Sequence, residues 1–187
     1  MNIFYVHPDP KKCAQQHCDK HVVKMCVEYA QLLSTAHRVL DGKEWKGRSA
    51  KGRAVTKYFL PETEMNEVVY KACHVNHPST IWTRSSSENY RWLYTMWCEL
   101  AYEYEHRYGR VHESFNQLEL LLLCPPLNIK DDEFTEPTPA MAQFPECIVE
   151  GDSITSYRNF YWADKKKFAT WSHRDIPKWW SEYERKG

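Results

Sequence analysis

The 25 basic and 25 acidic side chains of this 187-residue chain cancel, which excludes a protein drawn to polyanions by its overall field; any such contact must be local. With 42% hydrophobic residues the chain can bury one sizeable core, and its length predicts one domain over residues 1–187 rather than two. Seven cysteines without a Cys-x-x-Cys pair read as reduced thiols, and no stretch has the length of a signal peptide or a bilayer span, so a cytoplasmic protein with no membrane partner is expected, in the host cytoplasm if phage-encoded.

Asn2 to His7 alternates enough to predict one short strand, after which Asp9-Pro10 supplies a capping side chain and a proline suited to the first helical turn. A single long helix is expected from there to Asp41-Gly42, because Ala14, Cys18, Val22, Met25, Tyr29, Leu32, Ala36 and Val39 recur at three- and four-residue steps. Residues 43–77 show no sustained period and are read as an irregular basic insertion, with Lys43, Lys46, Arg48, Lys51, Arg53 and Lys57 against one acid, Glu44. That run either holds a phosphate backbone or is a solvated loop. Ser85-x-x-Glu88 has capping-box spacing and predicts a helix from about Ser86 to Tyr108, closed by Gly109 and packed antiparallel on the first. Ser114 to Cys124 is a third helix, expected to be central because Leu118 and Leu120 to Leu123 are dense, and Pro125-Pro126 ends it. Residues 127–151 are read as a surface loop. A last helix from Asp152 or Ser153 to about Lys166 leads into an aromatic tail. The expected fold is mainly α, with four to five helices, one N-terminal strand and long loops.

Three polar runs carry potential chemistry. On the first helix His17, His21, Lys24 and Glu28 form one stripe. They offer an amine nucleophile with a carboxylate or imidazole to move protons, or alternatively a buried histidine pair and an ordinary Lys24–Glu28 surface pair. His17-x-x-x-His21 with His74-x-x-His77 also has metal-ligand spacing, although the diagnostic glutamate of His-Glu-x-x-His is missing. At the second helical block, Arg84 is a bidentate phosphate donor and Asn89 can read a base edge. Tyr157 and Arg158 open a third run that mixes aromatic and basic residues, as single-stranded or flipped-base sites do, or as a core beside solvated lysines.

Asp19-Lys20-His21-Val22-Val23-Lys24-Met25, Gln31 to His37, His77-Pro78-Ser79-Thr80 with Asn89-Tyr90-x-Trp92-Leu93, and Tyr157-Arg158-x-Phe160-Tyr161 resemble a family of small phage and bacterial proteins. More distantly, Gln16-His17 and Glu103-x-x-x-Arg107-Tyr108-Gly109 are similar to the layout of phage pyrimidine-dimer DNA glycosylases of the endonuclease V type. That resemblance implies a compact helical enzyme that cuts the glycosidic bond and then the backbone through an imine. Those enzymes use a terminal amine exposed by loss of methionine and a first-helix glutamate. Here Asn2 follows Met1 and Lys24 stands about where that glutamate would lie, so Lys24 or Lys20 is the candidate amine.

The expected protein is therefore a DNA- or nucleotide-processing enzyme acting on a pyrimidine without a cofactor, with His17, His21, Lys24 and Glu28 as catalytic residues. Its substrate contacts are His74, His77, Arg84, Asn89, Tyr157 and Arg158. The alternatives are a divalent-metal hydrolase or transferase using His17, His21, His74 and His77, and a non-enzymatic phage protein that inhibits a host factor.

Overall fold

The computed structural model describes residues 1–61 and 63–185. Its helices are α1 Pro10–Gln15, α2 Asp19–Asp41, α3 Thr63–Val68, α4 Pro78–Thr83, α5 Ser87–Tyr108, α6 Glu113–Leu122, α7 Ser153–Phe160, continued by a π turn over Tyr161–Lys165, and α8 Lys178–Glu184. The one sheet among the described residues pairs β1 Lys43–Arg48 with β2 Ala54–Phe59. The chain is mainly α-helical, as the periodicity predicts.

Helices α2 and α5 form the predicted antiparallel pair: Asp19 meets Arg107, the carbonyl of Cys26 accepts from Trp97 Nε1 at 2.8 Å, and His37 meets Tyr90. Their shared core holds Met25, Tyr29, Leu32, Leu33, Leu93, Met96, Trp97 and Leu100, all fully buried. Burying such side chains contributes roughly 1.5–3 kcal/mol each before chain entropy is counted.

The expected first helix is two helices. No glycine or proline marks the break at Gln16–Cys18; the cause is non-local. Arg107 donates to the carbonyls of Gln15 at 3.0 Å and His17 at 3.1 Å, while Trp171 Nε1 donates to Gln16 at 3.0 Å. Three consecutive carbonyls are thus satisfied from elsewhere rather than by helical N–H groups. Arg107 also bonds Glu103 and Asp19, at 2.7 and 2.8 Å, and Glu103 accepts from Arg174. Burial works to raise the Glu103 carboxyl, but the bonds from Arg174 and Arg107 override it and hold the group below its usual range.

Residues 2–7 form no strand, correcting the expected one. Their backbone is paired by side chains instead: Tyr29 Oη accepts from Phe4 N–H at 3.2 Å, Cys13 Sγ donates to the Phe4 carbonyl, and Arg158 Nε donates to the Val6 carbonyl at 3.0 Å. The insertion is likewise ordered where irregularity is expected. Both hairpin strands are almost entirely exposed, so they lack the alternating burial that makes a strand visible in sequence. Helix α6 is not central: Leu118 and Leu122 are buried, but Leu120 is 82% exposed, because only one face meets α2 and α5. The cap of α5 is Ser86, whose side chain accepts from Asn89 N–H, one residue beyond the expected Ser85.

The C-terminal third closes over the opening segments. Tyr161 Oη bonds His21 Nδ1, and Trp179 Nε1 donates to Gln16 Oε1 at 2.8 Å. No helix is long and apolar enough to cross a membrane among the described residues.

Candidate functional site

Arg38 lies near the C-terminal end of α2, almost fully buried, and its guanidinium reaches five acceptors. They are the carbonyls of Tyr58, Asn66, Val69 and Tyr70 and the side-chain oxygen of Asn66, at 2.6–3.0 Å. This one side chain ties the base of the hairpin and the segment after α3 to α2. From that latch the chain runs back along α2, where Cys73 N–H donates to Thr35 Oγ1 at 3.2 Å and Cys73 Sγ stands 4.0 Å from Met1 Sδ. It thereby delivers His74 and His77 to the stretch of α2 that carries Glu28.

On α2, Lys24 and Glu28 are one turn apart on the same face. Lys24 Nζ lies 3.1 Å from Glu28 Oε1, with the Lys24 side chain 61% and the Glu28 side chain 18% exposed. His77 is partly buried and its pKa is lowered: desolvation acts first, the positive charge of the Met1 amine and of His74 adds to it, and Glu28 opposes. Glu28 also acts on Cys73, whose thiol burial pushes up. Glu28 therefore shares an electrostatic neighbourhood with His77 and Cys73, His74 acts on His77, and the surface-exposed Lys24 amine is paired at the edge. His74 is held at φ 46°, a left-handed conformation uncommon outside glycine. Arg84 fixes this turn from behind by donating to the Val75 carbonyl at 2.8 Å. Next to it, Ser79 Oγ and Thr80 Oγ1 are buried with no hydrogen-bond partner among the described residues, each costing about 1–3 kcal/mol if left so.

The other predicted site residues lie elsewhere. His17 is fully buried: Nδ1 bonds the Cys13 carbonyl at 2.7 Å and Nε2 bonds Tyr29 Oη at 2.8 Å. Because a carbonyl only accepts, Nδ1 carries the hydrogen and Nε2 accepts from the tyrosine, so the ring is neutral. Burial first, and the Arg107 charge against the Cys13 carbonyl bond, set its pKa to about 4. His21 stacks on Phe4 at 4.2 Å and bonds Tyr161, and burial holds it down to about 2. Asn89 is buried with its amide fully occupied. Its two amide N–H groups are shared among Trp82 O, Ser85 Oγ and Thr135 Oγ1, and its Oδ1 accepts from Thr135 N–H, which pins the 127–151 loop to α5. Tyr157 is buried and donates to the Thr138 carbonyl. Arg158 instead borders a separate concavity of about 600 Å³ with Lys12, Gln16, Arg174 and Trp179.

The four histidines accordingly do not converge. His17 and His21 are interior and hydrogen-bonded, His74 and His77 lie toward the surface, and among the described residues no three His, Cys, Asp or Glu side chains gather as a metal ion would require. Lys20 packs over the Phe168 ring at 4.6 Å, leaving Lys24 as the member of the stripe paired with a carboxylate. Sequence reasoning missed Arg38 and Cys73. For Arg38 the available signal was a lone cation among Ser34, Thr35, Ala36 and His37 on an otherwise apolar helix face.

The sequence model of a family described as pyrimidine dimer DNA glycosylase matches residues 1–117, more than half of the chain. This spans α1 to α5 and so includes the Lys24–Glu28 pair, the hairpin and the His74–His77 turn. Neither a curated protein nor a solved structure matches the chain.

Proposed function

The chain belongs to the pyrimidine dimer DNA glycosylase family, and on that premise we propose that it excises a damaged pyrimidine from DNA, with Lys24 as the amine nucleophile and Glu28 as the group that takes and returns protons. The observation that carries the assignment is the exposed Lys24 amine 3.1 Å from a largely buried carboxylate, within the part of the chain that defines the family.

At rest Lys24 is an ammonium paired to Glu28. When DNA covers the pair and displaces water, the proton passes to Glu28 and frees the amine lone pair. Nζ attacks C1′ of the damaged nucleotide, and the C1′–N1 glycosidic bond breaks with its electron pair leaving on the base, which takes a proton. Opening of the C1′–O4′ bond then gives the imine. Glu28, again a carboxylate, removes a C2′ proton, and the 3′-phosphate leaves by elimination. Water finally releases the sugar from Lys24. His74 and His77 supply hydrogen-bonding groups beside the departing base or phosphate, and Arg84 acts by holding their turn.

The test is borohydride reduction of the protein with a duplex containing a thymine dimer, followed by peptide mapping. A covalent adduct on Lys24, lost in Lys24→Gln, is expected. An adduct on the Met1 amine or on Lys20 would overturn the assignment of the nucleophile, and neither adduct nor strand cleavage would overturn the enzymatic reading.

A further inference from the structure

The β1–β2 hairpin is a two-faced ribbon. The register pairs Lys43 with Phe59, Trp45 with Lys57 and Gly47 with Val55, and since side chains alternate across a sheet these six share one face. On it the outer edge of the Trp45 indole fills the space above Gly47: a Cβ added there would fall 1.9 Å from the ring. Lys57 Nζ stands 5.4 Å from the ring centre. Trp45 is nonetheless 46% and Phe59 47% exposed. The opposite face carries Glu44, Lys46, Arg48, Ala54, Thr56 and Tyr58. Between residues 43 and 59 six basic side chains stand against one acidic, a local charge of +5, so a chain neutral overall carries −5 elsewhere. Two large exposed aromatics flanked by lysines, on a strongly positive projection, face solvent on a ribbon whose base Arg38 pins to α2.

The geometry points to this face, Trp45 and Phe59 with Lys43 and Lys57, as a major-groove contact to duplex DNA beside the damaged base, with the aromatics against thymine methyl groups and the lysines on phosphates. The inference rests on the DNA reading above. Charge complementarity selects a polyanion. Groove width favours the major groove, since at about 12 Å across it admits a two-stranded ribbon in undistorted duplex, whereas the minor groove, about 6 Å wide, must first be opened by bending the DNA. Exposed rings suit the one apolar group displayed there, the thymine methyl. From Glu28 to the hairpin base at Gly42 the helix rises about 21 Å, roughly six base pairs of duplex, so the contact falls on flanking sequence rather than on the lesion.

The experiment measures binding of the full chain to a labelled undamaged 20-base-pair duplex by fluorescence anisotropy across a salt series. It uses Trp45→Ala with Phe59→Ala, Lys43→Gln with Lys57→Gln, and Lys46→Gln on the other face. The aromatic pair is expected to weaken binding about tenfold at fixed salt, and the lysine pair to flatten the log–log salt slope by roughly 2. A duplex with uracil replacing thymine should reproduce the aromatic loss in the unmodified protein and add nothing in the aromatic variant. Aromatic-variant binding within twofold of the unmodified protein overturns the inference, as does an equal loss in Lys46→Gln or an equal effect of methyl removal on both proteins. Excision from a dimer-containing duplex is followed in parallel. Intact excision with a neutral hairpin rejects only this inference, whereas hairpin-dependent binding without excision rejects only the proposed activity.

Discussion

Replacing Arg38 by methionine keeps the apolar stem of the side chain and removes its five donated hydrogen bonds. Four of the acceptors are main-chain carbonyls, at Tyr58, Asn66, Val69 and Tyr70, and the fifth is Asn66 Oδ1, which also accepts from Leu60 N–H. A net 0.5–1.5 kcal/mol per bond gives roughly 2.5–7.5 kcal/mol. Water can reach the part-buried acceptors and return some of that, so about 4 kcal/mol is expected. In urea, with a slope near 2 kcal/mol/M, the midpoint falls by about 2 M. Lysine, with three donors on a single ammonium, cannot span the acceptors and should recover less than half. Hydrogen exchange locates the damage: amides of residues 54–73 lose protection first, while those of α5 around Trp97 keep theirs until global unfolding. A loss under about 1 kcal/mol, or unchanged relative protection of 54–73, would refute the latch.

Glu28→Gln should keep DNA affinity and lower excision by roughly 10²–10⁴-fold under single-turnover conditions; activity within threefold would remove Glu28 from proton transfer. Stability should fall with acid above the range where carboxylates titrate. His17 and His37 are buried neutral, each held at about 4 chiefly by desolvation, against 6.5 unfolded. The unfolded chain thus binds more protons between pH 6.5 and 4, and each histidine removes on the order of 3 kcal/mol by pH 4, with nothing further below it. His21, held lower still by burial, adds to the same slope; urea midpoints that do not change from pH 7 to 4.5 contradict this, and His37→Gln should flatten about a third of the slope. Arg107→Met leaves the buried Glu103 with Arg174 alone and frees the carbonyls of Gln15 and His17. A loss of about 3–5 kcal/mol in thermal or urea unfolding is expected, and a loss under 1 kcal/mol would show that water replaces the guanidinium.

The two longest helices, their antiparallel pairing and the end of α2 at Asp41 were legible because period, caps and core burial agree there. What was not legible depended on residues far apart in the chain. Arg107 and Trp171 break the first helix from 90 and more positions away. The hairpin has no buried face to impose a pattern, and the Leu-rich stretch of α6 looked central because sequence cannot say how many neighbours a helix has. Of the candidate site, the i, i+4 pair Lys24–Glu28 was visible as spacing, and its nearness to His77 was not. His17, His21, Asn89 and Tyr157 are polar groups that the interior itself consumes, and composition cannot separate such groups from reactive ones.

The family's portion of the chain ends at residue 117, yet Tyr161, Trp171 and Trp179 reach back to His21 and Gln16. A relative sharing only those first positions must seal the rear of Phe4 and the interruption between α1 and α2 with some other material. The recognisable stretch is thus a façade without its back wall, and transplanting it alone onto another scaffold would open the interior to water.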